Sequence, residues 1–405
     1  MKVLLVNKFH YLKGGAEKYY FNLADALISE GDEVSFFSMK DKLNFPCEDE
    51  KYFVSHASTS GNLIEKLKLI FNMRYSKEAY KKMSKLLKDK NPEVVIINNF
   101  HKHLTFSIVK AIKDFNPKLP IVWVAHDLIG VCPVYTMLDG KGNNCEKCLG
   151  GNYKNCTINK CARGSKLLSY LARKEAEYIK KNKFYDLIDL IICPSKFLAN
   201  TLIRGGFDSK KIKAILNPLE INHKFSKKTQ NENYLLYFGR LSKEKGVESL
   251  IRAVKNSGIK LVVAGNGPIQ NELKNIVKNE NINEVEFVGY KSGKELDELV
   301  DNCKYVSVPS VCKENCPYSV TESLAKGKPV IARATGGITE LVVDNENGFL
   351  FSDDNELKGA IAKAFALDEK EYLRLCENAI DFAKNNFDAK KYTKELKTII
   401  NEYTK

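Results

Sequence analysis

Short, almost wholly apolar runs recur along the chain, each closed by polar residues and followed by a stretch of helical periodicity. Val3–Val6, Val94–Ile97, Ile121–Ala125 and Leu187–Cys193 are such runs in the first half. Tyr234–Phe238, Lys260–Ala264, Val285–Val288, Tyr305–Pro309 and Val330–Ala332 follow in the second. A continuous apolar run bounded by turn signals is the pattern of a strand buried inside a parallel sheet. Between Val6 and Glu33, Gly14-Gly15 opens a helix with Tyr20, Leu23, Ala24 and Leu27 on one face, and Gly31 closes it. The unit is strand–helix–strand, and its repetition predicts an α/β fold.

A chain of 405 residues is too long for one such core. The polar run Asn222–Asn233 reads as a linker. We therefore expect a first Rossmann-like domain over 1–216, a linker over 217–233 and a second Rossmann-like domain over 234–386. An amphipathic helix over 387–405 carries Tyr392, Leu396, Ile399 and Ile400.

Open parallel sheets bind ligands beyond the carboxyl ends of their strands, so polar residues at those ends are the candidates. In the second half these are Gly239-Arg240, Lys245, Gly265, Tyr290 and the segment Glu314–Glu322. An arginine and a lysine five residues apart before a helix suit a diphosphate, the first as a planar fork and the second as a point charge. The same pair would stabilise that diphosphate as a leaving group. Asn315-Cys316-Pro317 leads into a helix beginning near Tyr318–Ser319, whose open amides suit an anion. Glu322, a carboxylate that only accepts hydrogen bonds, suits the two donors of a ribose diol. In the first half Asn98, Asn99, His101, His126 and Asp127 end strands, and Gly14-Gly15 opens a helix. This glycine pair lacks the full dinucleotide fingerprint, which argues against a dehydrogenase.

An insert over 132–165 contains Cys145-x2-Cys148-x7-Cys156-x4-Cys161. Two cysteine pairs at these spacings predict a closed, structural zinc site, with disulfides and unrelated free thiols as the other readings.

The formal charge is +14. Basic residues concentrate in Lys66–Lys90 and Arg163–Lys183, both helical in pattern and both carrying apolar residues. Contact with an anionic membrane surface, plain solvated helix faces and nucleic acid are the three readings, in that order. No window is apolar enough to cross a membrane, and the four-residue apolar run after Lys2 is too short for a signal peptide. The expectation is a cytoplasmic protein, peripheral at the inner face of the plasma membrane, with reduced cysteines.

Glu314-x7-Glu322 with Glu322-Ser-Leu-Ala-x-Gly-x-Pro-Val, preceded by Gly239-Arg240-x4-Lys245-Gly246, resembles the signature of retaining glycosyltransferases of the GT-B architecture, family four. The resemblance implies two Rossmann-like domains facing across a cleft, the acceptor on the first and a UDP- or GDP-sugar donor on the second. It implies a C-terminal helix crossing back to the first domain, and no catalytic metal. Arg240 and Lys245 would stabilise the departing diphosphate, and Glu314 with the amides of Asn315, Cys316, Pro317, Tyr318 and Ser319 would hold the donor sugar. Gly239 and Gly265 would border the phosphates, Tyr290 the base and Glu322 the ribose. His126 would reach the donor sugar and Gly15 the donor phosphate. The acceptor would be a glycan or lipid-linked glycan of surface polysaccharide or glycoconjugate biosynthesis. One departure stands out: where the family often has Gly-Phe-Gly, this chain has Asn315-Cys316-Pro317-Tyr318, and proline offers no amide. A nucleotide-sugar epimerase on the same plan and a basic, zinc-containing nucleic-acid-binding protein are the alternatives.

Overall fold

The computed structural model describes residues 1–56, 74–219 and 233–404. Lys66 and Lys68 of the first basic stretch, and residues 220–232 of the expected linker, lie outside the described residues. The chain divides into two compact units, Met1–Pro218 with Ala389–Lys405, and Leu219–Asp388.

The first unit is built on a six-stranded sheet, β1 (Lys2–Val6), β2 (Glu33–Phe37), β3 (Val94–Ile97), β4 (Ile121–Val124), β5 (Leu190–Cys193) and β6 (Ile212–Ala214). The order is β2-β1-β3-β4-β5-β6 and every pairing is parallel. All residues of β3, β4 and β5 are buried, the outcome that their unbroken apolar runs dictate. Helix α1 (Gly15–Ser29) buries Tyr19, Tyr20, Leu23, Ala24 and Leu27. Helices α2 (Lys77–Lys90) and α3 (Ser107–Phe115) pack together over the sheet. The insert contributes the short α4 (Lys154–Ile158), packed on α5 (Lys166–Lys181), and α6 (Lys196–Arg204) follows β5. Ser76, Ser165 and Ser195 cap α2, α5 and α6 by accepting from the backbone amides of Ala79, Leu168 and Leu198.

β5 starts at Leu190, later than the expected Leu187, because Phe184–Leu187 forms a 3-10 turn. Phe184 is buried there, stacked on Phe106 with ring centroids 5.3 Å apart.

In the second unit the sheet order is β12-β11-β10-β7-β8-β9, again all parallel. Its strands are β7 (Tyr234–Phe238), β8 (Lys260–Ala264), β9 (Val285–Gly289), β10 (Tyr305–Val308), β11 (Val330–Arg333) and β12 (Gly348–Phe351). The helices between and after them are α7 (Val247–Val254), α8 (Gln270–Asn279), α9 (Lys294–Asn302), α10 (Tyr318–Ala325), α11 (Asp354–Phe365) and α12 (Glu369–Asn386).

The last helix, α13 (Ala389–Thr404), belongs to the first unit. The Tyr392 and Tyr19 hydroxyls meet at 2.6 Å, and Lys397 Nζ reaches Glu30 at 2.6 Å and Asp32 at 2.5 Å. No helix among the described residues is long and apolar enough to cross a membrane.

Candidate functional site

Each sheet reverses its strand order once. In the second unit the chain lays down β7, β8 and β9 in one direction, then places β10 on the other side of β7. The loops after β7 and β10 therefore diverge and leave a crevice between them, the usual ligand position in such sheets. Arg240 and Lys245 lie on the first loop, Glu314 on the second.

The crevice is knitted by backbone. The amides of Val311 and Cys312 donate to Glu244 O, at 2.9 and 3.2 Å, and Leu241 N donates to Asn266 O at 2.9 Å. Gly337 N donates to Glu314 O at 2.7 Å. Two glycines are required by this closeness. Gly265 has φ +153°, and a Cβ there would overlap the Gly239 carbonyl oxygen. Gly246 has φ +68°, and its Cβ would overlap the Pro309 carbonyl oxygen.

Lys245 Nζ donates to Glu314 Oε1 at 2.5 Å, and Ser310 Oγ donates to the same oxygen at 2.7 Å. Cys312 Sγ is a longer partner at 3.8 Å. Burial alone would raise the Glu314 carboxyl, but the Lys245 ammonium and these hydrogen bonds outweigh it and hold the carboxyl below its ordinary range. Burial would likewise lower the Lys245 ammonium, and the Glu314 charge more than reverses this. Both groups therefore stay charged near neutral pH. Arg240 is exposed, and among the described residues it has no ion-pair partner. Its carbonyl accepts from Tyr237 Oη at 2.8 Å, which fixes the loop and leaves the guanidinium outside.

Asn315, Cys316 and Pro317 lead into α10, which begins at Tyr318 with Pro317 at its cap. Cys316 and Tyr318 are buried, while Ser319 and Glu322 are half-buried in the first turns of the helix. Tyr290 follows β9 and is 63% exposed. The second unit thus brings Arg240, Lys245, Gly239, Gly265, Tyr290 and Glu314–Glu322 to the carboxyl edge of one sheet. Sequence reasoning missed Ser310 and Cys312, which orient Glu314; their place just after an apolar run was the one signal available.

Gly15 and His126 belong to the first unit. Gly15 opens α1, and its cap, Gly14, supplies no side chain. His126 Nε2 donates to Asn98 Oδ1 at 2.8 Å, and Tyr19 packs edge-on against the ring at 4.9 Å. Burial pulls its pKa down to about 3, so the ring is neutral.

The zinc expectation is not carried by the structure. Among the described residues no group of three or more His, Cys, Asp or Glu side chains is placed to hold a metal ion. Cys145 Sγ accepts from Asn159 Nδ2 at 3.9 Å, and Cys156 Sγ donates to Ser169 O at 3.6 Å. Cys148 and Cys156 pack with Tyr153 and Ala172 in an apolar cluster that Cys161 borders. Burial pushes the Cys148 thiol up to about 12. Cys148 and Cys156 thus sit in a small core between the insert and α5, and all eleven cysteines of the chain are free thiols.

The family model for Glycosyl transferases group 1 matches residues 220–382, and that for Glycosyltransferase Family 4 matches residues 13–223, more than half of the chain. MJ1178, an uncharacterized glycosyltransferase of Methanocaldococcus jannaschii, is 32% identical over 200 residues, covering 48% of this chain and 55% of that one. Alpha-monoglucosyldiacylglycerol synthase of Streptococcus pneumoniae is 28% identical over 247 residues, covering 55% of each. These two matches span about half the length of the curated relatives. Among solved structures, HepE of Anabaena in complex with UDP-glucose aligns at a TM-score of 0.70 and 19% identity, over 99% of this chain and 100% of that one. The likeness is one of fold, two Rossmann-like domains of the GT-B type.

Proposed function

The chain belongs to the glycosyl transferases group 1 and Glycosyltransferase Family 4, and on that premise we propose that it transfers a sugar from a nucleoside-diphosphate sugar to a glycan or lipid-linked glycan. The second unit holds the donor and the first holds the acceptor. The observation that carries this reading is the charged Lys245–Glu314 pair at the β7/β10 crevice, with the exposed Arg240 on the same loop as Lys245. When the donor is bound, its diphosphate gives Lys245 a second anionic partner, and the Arg240 fork takes the other phosphate. Glu314, held ionised, then accepts from hydroxyls of the donor sugar, and Glu322 from the ribose.

In the transfer, the bond from the anomeric carbon to the phosphate oxygen breaks and a bond to the acceptor oxygen forms. The acceptor proton passes to the departing diphosphate. Arg240 and Lys245 take up the charge that develops there. We assign retention of anomeric configuration and a UDP-sugar donor; the UDP-glucose bound to HepE supports the uridine choice. Surface polysaccharide or glycolipid assembly is the setting that the relatives' names support. A peripheral contact with an anionic membrane fits α5, where Leu167 and Tyr170 are 68% and 43% exposed among Lys166, Arg173 and Lys174.

The test is thermal stabilisation by UDP, GDP and ADP and their sugars, on the wild type and Glu322→Ala, followed by transfer with the best donor. Selective stabilisation by one nucleotide that Glu322→Ala weakens about tenfold or more supports the donor site. A folded protein that answers to no nucleotide refutes it. The anomeric coupling of the product, read by NMR, decides retention.

A further inference from the structure

The first unit has a reversal of its own. The chain runs from β1 to β2 on one side, then places β3 on the other side of β1, so the crevice lies beyond the ends of β1 and β3. Lys8 follows β1 by two residues, and its amide donates to Asn99 O at 2.8 Å on the loop after β3. Lys102 lies on that same loop, in a left-handed conformation at φ +70°. The loop is tied down by Leu104 and Thr105 amides donating to Phe100 O, each at 3.0 Å, so Lys102 is held in place and not merely exposed. Lys13 returns just before α1 and sets its ammonium 3.7 Å from the centre of the Phe9 ring; the Lys8 ammonium is 5.2 Å from the same centre.

Three cationic side chains therefore converge on one crevice. Among the described residues none of them has an ion-pair or hydrogen-bond partner for its ammonium. The nearby carboxylates each hold another donor, Glu17 accepting from Asn7 Nδ2 at 3.2 Å and Asp127 from the Ile129 amide at 2.9 Å, and both still attract the Lys8 ammonium without reaching ion-pair distance. His103, 6.2 Å from Phe9, is kept neutral by burial and by Lys8, with a pKa lowered to about 4. Burial lowers the Lys8 ammonium as well and outweighs the attraction of Glu17 and Asp127, which marks it as a charge partly removed from water and only partly compensated. A desolvated, unpaired cation costs stability unless a ligand repays it.

We propose that the β1/β3 crevice of the first unit binds a phosphate group of the acceptor, through Lys8, Lys13 and Lys102. The inference rests on the glycosyltransferase reading for the word acceptor, but the anion site stands on its own geometry. It narrows the acceptor to molecules that carry a phosphate near the hydroxyl to be glycosylated, either a soluble sugar phosphate or the diphosphate of a lipid-linked sugar.

The test is calorimetric titration of the full chain, saturated with UDP, with glucose 6-phosphate and with geranyl diphosphate. The same titrations are made on Lys8→Met and Lys102→Gln, whose folding is checked by melting temperature. Binding of either probe, weakened about tenfold or more in each variant and falling with salt, supports the site. Preference for the prenyl diphosphate assigns the phosphate to a lipid carrier, and preference for the sugar phosphate to a soluble acceptor. Absence of binding by both probes, equal binding by folded variants, or binding that is seen only when UDP is left out overturns the proposal. A wild type that binds a probe but no nucleotide of any kind sinks the donor-site reading and leaves the anion site standing.

Discussion

Replacing Glu314 with glutamine removes the negative charge from the Lys245 pair and keeps the shape of the side chain. Taking one partner from a buried pair costs about 3–5 kcal/mol. Here the side chains of Glu314 and Lys245 are 13% and 29% exposed, so water recovers part of that cost for the lysine. Glutamine also keeps an acceptor for Ser310 Oγ. About 2 kcal/mol is therefore expected at neutral pH. In a unit of this size that is roughly 4–8 °C in melting temperature. The carboxyl sits below its ordinary value of 4.5 in the folded protein, so its contribution is fully present above that value and is lost as pH falls through the folded pKa. Denaturant unfolding of both proteins between pH 3 and pH 8 is the assay. The gap should be widest near neutrality and close below the ordinary glutamate value. With Lys245 freed from its competitor, UDP should bind the variant at least as tightly as the wild type, while transfer falls by about a hundredfold. A gap that is constant with pH, or a glutamine variant as stable as the wild type at pH 7, would refute the claim that this pair is an ion pair in the folded protein.

Gly265→Ala should destabilise the second unit by about 3 kcal/mol, because the new Cβ meets the Gly239 carbonyl oxygen at φ +153°. Gly258→Ala, at φ +71° but with open space around it, should cost only about 1 kcal/mol; equal melting temperatures for the two variants would argue against a crowded crevice. Dialysis against a chelator should leave the melting temperature unchanged, since the insert thiols are held as packed thiols; a fall of several degrees that zinc restores would bring the metal site back. Tyr392→Phe should cost about 1 kcal/mol by leaving the buried Tyr19 hydroxyl one partner short, and no change in the unfolding midpoint would count against that contact.

The second unit was the more legible half, and its glycines explain why. Lys260–Ala264 sits between Gly258 and Gly265, so pattern and punctuation agree and the strand falls where it was expected. The first half has weaker punctuation. Leu187-Ile188-Asp189 looks like the start of a strand, yet the stacking of Phe184 on Phe106 wins and turns the chain before Leu190. The candidate donor residues could be named from spacing because they follow apolar runs on one sheet. Their internal arrangement could not: that Glu314 faces Lys245, Ser310 and Cys312 depends on loop backbone, which spacing does not encode. The same limit misled the reading of the insert, where cysteine spacing suggests zinc and thiol direction decides otherwise. Lys8 and Lys102 are invisible as a pair in the sequence, and only the β1/β3 adjacency brings them together.

Leu219 pairs with Asp388 in a single β-bridge, and Leu219 N donates to Phe387 O at 2.7 Å. In chain terms, then, the second unit is a guest spliced into the first, with its entrance and exit at one spot. The ribosome makes the guest whole before it makes α13, so the host must wait for its final helix while its neighbour already has all of its own strands. A stop codon between Ala389 and Tyr392 would spare every strand of the second unit and strike instead at the partners of Tyr19, Glu30 and Asp32 in the first. The converse is useful to the engineer. Because both seams lie together, the guest can be exchanged for another unit as one cassette, with two junctions designed as a single bridge.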